Sequence, residues 1–169
     1  YDNVRTFLHT CREKGVYLKV SKAQMLKESL RFLGHTLSIE GCKPQHDKVA
    51  AVRDWSALEN VTHVRQFLGL AGYYRRFIHC FSDIAQPLTM LTKNEVEWRW
   101  GPEQQWAFEE LKAALVDAPV LALPNVKAAA DGSAPFVVQT DASGVALGGV
   151  LMQDCGEGLK VIAYESRQF

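Results

Sequence analysis

Between Thr62 and Ile78, two arginines and two glycines share one side of a helical pattern, a combination with a definite chemistry. Val64, Phe67, Leu68, Ala71, Tyr74 and Ile78 recur at helical spacing as an apolar stripe. The opposite side carries Arg65, Gly69, Gly72 and Arg76, with Tyr73 at its edge. Glycine inside a helix costs about 1 kcal/mol relative to alanine. Two readings of these glycines stand. Either they let a neighbouring helix pack closely beside solvated arginines, or they let a phosphodiester backbone approach while the arginines meet its phosphates. Asp141, at the end of an apolar strand-like run, reads by its own residue type and place as a turn aspartate ahead of Ser143-Gly144. Cys11, Cys42, Cys80 and Cys155 lie too far apart for a metal-ligand motif and read as reduced thiols.

These positions need elements to hold them. Val4, Phe7, Leu8 and Cys11 mark a first helix, stopped by Gly15 after a basic last turn. Val16 to Val20 alternates like a short strand. Ala23–Leu26 and Leu30–Ile39, on either side of a polar Lys27-Glu28-Ser29 turn, read as a hairpin closed by Glu40-Gly41. From Pro44 the period becomes helical, through Val49, Val52 and Trp55. Thr62 is then placed to cap a helix running to about Phe77 or Ile78. Ser82 is placed to cap another through Ile84, Leu88 and Leu91, with Pro87 inside it, and Pro102 opens a fifth carrying Ala107, Leu111 and Leu115 and ended by Pro119. Asn125 to Pro135 has neither period and reads as a linker or loop. Strand-like runs follow at Phe136–Thr140, Val145–Gln153 and Lys160–Tyr164, the last two separated by a turn at Asp154 to Gly158.

The 169 residues are 47% hydrophobic and 22% charged, a globular, soluble composition for one ordinary domain or two small ones. No apolar run approaches the ~20 residues of a membrane span, and nothing at the start resembles a signal peptide, so the expected setting is intracellular. Nineteen basic and nineteen acidic side chains leave no net charge. Any binding to nucleic acid must therefore come from a local face.

The blocks also carry a family resemblance. Phe67-Leu68-Gly69-Leu70-Ala71-Gly72-Tyr73-Tyr74-Arg75-Arg76-Phe77-Ile78 and Phe81 to Thr89 resemble signatures of gypsy-type long-terminal-repeat retrotransposon reverse transcriptases. So do Phe32-Leu33-Gly34-His35, Thr140-Asp141-Ala142-Ser143 and Ala163-Tyr164-Glu165-Ser166-Arg167, all in family order. The resemblance implies an α+β chain. Residues 1–42 would end the polymerase palm with a primer-grip-like hairpin, and 43–124 would form thumb and connection helices. Residues 125–135 would be a linker, and 136–169 would start an RNase H-like mixed sheet with its first three strands.

The resemblance further implies that the Leu30 to Leu37 hairpin holds the primer end, with Gly34 and His35 as its contact candidates; Phe32 and Leu33 read instead as plain hairpin packing. Arg65, Gly69 and Tyr73, at i, i+4 and i+8, would follow the minor groove of a template–primer duplex or RNA–DNA hybrid, with Arg76 adding a phosphate contact. Asp141 would be the first RNase H carboxylate, catalytic and metal-binding, at a site that uses two Mg²⁺ ions about 4 Å apart. Glu165 is read as structural or peripheral. The family's Tyr–x–Asp–Asp turn lies upstream of the helix at Tyr1-Asp2-Asn3-Val4, and its further RNase H carboxylates lie beyond Phe169. The parent polyprotein would thus copy RNA into DNA and cut the hybrid, while this piece grips the duplex and is by itself inactive. Two other readings are a non-enzymatic or host-repurposed nucleic-acid-binding module and a decayed element.

Overall fold

The apolar stripes of the middle helices fix the architecture, because each must be buried against another. In the computed structural model, which describes residues 1–25 and 27–169, Val64, Phe67 and Ala71 of α3 (Val61–Tyr73) are completely covered. They meet Leu88 of α4 (Phe81–Leu91) and Ala107, Phe108, Leu111 and Leu115 of α5 (Pro102–Val116). Val52 of α2 (His46–Arg53) closes the same core. Phe67 stands edge-on to Phe108 with ring centroids 4.8 Å apart. Pro102 occupies the first turn of α5, where its missing N–H is no loss, and Gln104 returns a side-chain bond to the Gly101 N–H.

The described strands form two three-stranded sheets, one in the order β1-β2-β3 and one in the order β4-β5-β6. The first comprises β1 (Ser29–Phe32), β2 (His35–Ser38) and β3 (Gly41–Pro44), all antiparallel. The second comprises β4 (Phe136–Ala142), β5 (Ala146–Asp154) and β6 (Leu159–Gln168), also antiparallel, with a register shift between Leu151 and Met152 where β6 carries the extra residue Ile162. The fold is therefore α+β, as its sequence pattern implies.

The Leu121 segment ties the two sheets together. Cys42 and Leu121 exchange backbone hydrogen bonds of 2.7 and 2.8 Å, and the next residue, Ala122, donates to the Val161 carbonyl of β6. Gly41 permits this close approach, since a Cβ there would stand 2.2 Å from the Leu121 carbonyl oxygen. The β6 strand also meets the start of α4: Ser82 donates its N–H to Ser166 Oγ at 2.8 Å, and Gln168 Nε2 donates to the Ser82 carbonyl.

Several sequence expectations are corrected. Val16 to Val20 forms no strand; the chain there is exposed, without a partner strand, and enters a 3-10 turn at Val20–Lys22. The hairpin turn falls at Leu33-Gly34, not Lys27-Ser29, and Leu26 of the expected first arm lies outside the described residues. The α3 helix is capped by Asn60, whose side chain accepts from the His63 N–H at 2.9 Å, in place of Thr62. It ends at Tyr73, because the backbone tightens at Tyr74 into a 3-10 turn, Arg75–Phe77, that buries Phe77 and Ile78. Cys80, in a left-handed conformation, precedes α4 in place of Ser82, and α4 continues through Pro87. The Asn125 to Pro135 stretch contains a short helix, α6 (Val126–Ala130). The buried Gln153 side chain fastens it, donating to the carbonyls of Asn125 and Ala134. No helix of the described residues is long and apolar enough to cross a membrane.

Candidate nucleic-acid interface

The β1–β2 turn is built from two residues in left-handed backbone, Leu33 at φ 45° and Gly34 at φ 71°. That is the backbone of a two-residue turn matching the strand twist. Glycine adopts it freely, but a leucine there costs roughly 1–2 kcal/mol. The strained turn turns Leu33 and Phe32 outward, 70% and 56% exposed. Gly34 and His35 face the other way. A Cβ on Gly34 would stand 3.0 Å from the Tyr74 hydroxyl. The His35 ring lies 5.5–5.6 Å from those of Tyr73, Tyr74 and Phe77, with Nδ1 on the Leu33 carbonyl at 2.7 Å. The expectation that Phe32 and Leu33 pack within the hairpin is thus reversed by the geometry: those two side chains are the ones presented to solvent.

The α3 helix approaches this turn with its C-terminal end. Tyr73 is half exposed, and its hydroxyl donates to the Leu33 carbonyl; the Tyr74 hydroxyl donates to that of Gly34 at 2.9 Å. One turn earlier, Gly69 is exposed, and an added Cβ would meet nothing within 4 Å. Gly72 differs, since its Cβ would come within 3.9 Å of Phe81. Arg65, one turn further back, is exposed and donates from Nη2 to the Thr92 carbonyl just past α4 at 2.9 Å, where helix-end carbonyls carry partial negative charge. Arg65, Gly69 and Tyr73 therefore share the exposed side of α3, which runs toward the hairpin tip.

Arg76 does not share that side. It sits in the 3-10 turn after α3, donates to the Ile162 carbonyl of β6 at 3.3 Å, and lies over the Phe77 ring. The helix break accounts for the difference from its expected position on the α3 face. Arg75 pairs with Glu165 at 3.0 Å, so Glu165 helps join β6 to the helical body.

Asp141 lies on β4 opposite Gly148, with its Oδ1 accepting from the Ala142 N–H at 2.9 Å. It borders a cavity of about 560 Å³ that is also lined by Cys80, Asp83, Gln139 and Ser143. Ser143 donates to Asp83 across this crevice at 2.6 Å. Burial raises the Cys80 thiol above its usual range, and the charges of Asp83 and Asp141 raise it further. Among the described residues no group of three or more His, Cys, Asp or Glu could hold a metal. Asp141 offers one carboxylate, which does not make a two-metal site.

Sequence reasoning missed Tyr74 and the exposed tip. The signal for the tip was present: a two-residue turn ending in glycine between Phe32 and His35. The contact between Tyr74 and Gly34 spans forty residues and leaves no local trace.

Residues 100–169 match the family described as the RNase H-like domain found in reverse transcriptase, a match that takes in α5 as well as the second sheet. The retrovirus-related Pol polyprotein from transposon 297 of Drosophila melanogaster is 40% identical over 143 residues, 84% of this chain and 13% of that protein. Over this stretch the chain is similar to the reverse transcriptase–RNase H region of retrotransposon polyproteins. The Tf2-3 transposon polyprotein of Schizosaccharomyces pombe is 33% identical over 151 residues, 89% of this chain and 11% of that one. The chain thus spans about an eighth of the length of these relatives. Two solved structures share the fold. The foamy viral protease–reverse transcriptase dRH in complex with double-stranded DNA superposes with a TM-score of 0.73 at 24% identity, over 98% of this chain and 28% of that one. The foamy viral protease–reverse transcriptase in complex with an RNA/DNA hybrid gives 0.69 at 26% identity, over 88% and 20%.

Proposed function

We propose that this retrotransposon segment grips a template–primer duplex or RNA–DNA hybrid for a parent enzyme that copies RNA into DNA and cuts the RNA of the hybrid. In this reading residues 1–42 end the palm, 43–124 form thumb and connection, and the second sheet begins the RNase H domain. The carrying observation is the empty space over Gly69. A helix-interior glycine without a packing neighbour forgoes about 1 kcal/mol that alanine would supply. Close helix packing, one of the two sequence readings, does not account for it. Approach by an external backbone does, and Arg65 on the same side supplies a cation for its phosphates. Such contacts read sugar and phosphate without base identity, as copying any template requires. The outward Leu33 and Phe32 add an apolar contact at the tip, while Gly34 and His35 act from beneath it. Arg76 stands at the flank and reaches a phosphate only by leaving the Ile162 carbonyl.

Asp141 is proposed as the first RNase H carboxylate of the parent. The metal of such a site would be Mg²⁺, held by several carboxylates about a pair of ions roughly 4 Å apart. The described residues bring one carboxylate to that set, so no hydrolytic step is assigned to them. The remainder of the polyprotein is the natural partner, and the work is placed inside the cell, in a cytoplasmic particle or the nucleus.

The test is fluorescence anisotropy of a labelled RNA–DNA hybrid titrated with the full chain at low salt. Saturable binding that weakens severalfold with Arg65→Ala and with Leu33→Ala is expected. Absence of binding, or binding indifferent to both substitutions, would rule the reading out.

A further inference from the structure

We infer that Tyr73 and Tyr74 form a clamp that locks the strained hairpin turn onto the end of α3, so that the tip and the Arg65–Gly69 face meet the duplex as one body; this rests on the duplex-gripping reading above. Both carbonyls of the turn are engaged. The Leu33 oxygen accepts from the Tyr73 hydroxyl and from His35 Nδ1–H. The Gly34 oxygen accepts from the Tyr74 hydroxyl and the Gln45 N–H, both at 2.9 Å. Adjacent residues of a continuing helix point some 100° apart and cannot act on one target together. Here the helix ends between the two tyrosines, and the tightened backbone at Tyr74 brings their rings edge to face at 4.9 Å. The break in α3 is therefore what makes the clamp. Gly34 is part of the fit: a Cβ there would press on the Tyr74 hydroxyl at 3.0 Å and on Tyr73 Cε1 at 3.3 Å.

The clamp gives Tyr73 a positioning role in place of the groove contact that its spacing implies, because its hydroxyl is committed to the hairpin. Leucine in left-handed backbone persists only where its surroundings over-determine it. Two donors on the Leu33 carbonyl do that, and they keep the Leu33 side chain pointing outward. His35 is a second positioning residue, with its ring among Tyr73, Tyr74 and Phe77 and its Nε2 buried without a partner.

The double variant Tyr73→Phe/Tyr74→Phe keeps both rings and removes both hydroxyls. Amide hydrogen exchange of the full chain reads the clamp without any ligand. The Gln45 N–H, bonded to the Gly34 carbonyl, should exchange roughly tenfold faster in the double variant, the loss expected from two modest hydrogen bonds, while α3 amides such as Leu68 stay protected. Hybrid binding then separates positioning from mere stability. Leu33→Ala should weaken binding severalfold in the native background and much less in the double variant, whereas Arg65→Ala should weaken both equally. Unchanged Gln45 exchange overturns the clamp, and so does an equal Leu33→Ala effect in the two backgrounds. If the native chain binds no hybrid, the gripping reading falls with the positioning role, and Gln45 exchange alone decides whether the clamp exists.

Discussion

Gly69 and Gly72 look alike in the sequence, and neither is forced by its surroundings: a Cβ on Gly72 would make an ordinary 3.9 Å contact with Phe81, and one on Gly69 would meet none of the described residues within 4 Å. The open space at Gly69 makes a two-sided expectation possible. Gly69→Ala should raise stability by up to about 1 kcal/mol, because alanine suits a helix interior better. It should also weaken hybrid binding, because the methyl group stands where a sugar–phosphate backbone must approach. Thermal melts and anisotropy on the same samples check both halves, and stabilisation without loss of binding would return Gly69 to an unexplained surface position. Asp141 allows a separate check of its place in the crevice. Its charge, after burial and Asp83, holds the Cys80 thiol above the usual range. Asp141→Asn removes that charge, lowers the thiol's pKa and increases the reactive thiolate near neutral pH. Iodoacetamide labelling of Cys80 should therefore speed up, and an unchanged rate would show that the Asp141 charge does not act on the thiol.

Among the elements, α3 carries most of the proposed function, and its start and finish are set differently. The start is local: Asn60 accepts from the His63 N–H. Asn60→Ala should cost about 1 kcal/mol in urea unfolding and leave hybrid affinity unchanged well below the melting range, because the cap lies a turn before Arg65. The finish is tertiary. The apolar pattern runs unbroken through Tyr74 to Ile78, with no glycine or proline to stop a helix, so sequence periodicity extends α3 too far. Elements whose signals are local were readable: α5 with Pro102 at its first turn, and the three strands of the second sheet, each close to its expected place. The hairpin turn was not, because Leu33 occupies a backbone region that leucine avoids, and the polar Lys27-Glu28-Ser29 run is the stronger local turn signal. Strand β3 was missed for a related reason: it pairs with β2 and then bridges to Leu121, far along the chain. The shared side of Arg65, Gly69 and Tyr73 on α3 was legible from their spacing, whereas the outward set of Leu33 and Phe32 and the inward set of His35 were not. Such local departures from preference are where function is expected to sit.

At the scale of the molecule, a chain of zero net charge must bind through a patch. The hairpin tip and the exposed side of α3 lie to one side of the helical core, while the second sheet and Asp141 are joined to that core through Ser82–Ser166, Arg75–Glu165 and the Leu121 segment. The proposed gripping face and the second sheet are thereby joined to one helical core. The most direct test of the central claim is the salt dependence of RNA–DNA hybrid binding by the full chain, native and Arg65→Ala. Two or three phosphate contacts would give a log–log slope of about −2 to −3, and loss of the Arg65 contact would reduce its magnitude by about 1. A slope near zero, or one that Arg65→Ala leaves unchanged, would contradict the assignment of this face to the duplex.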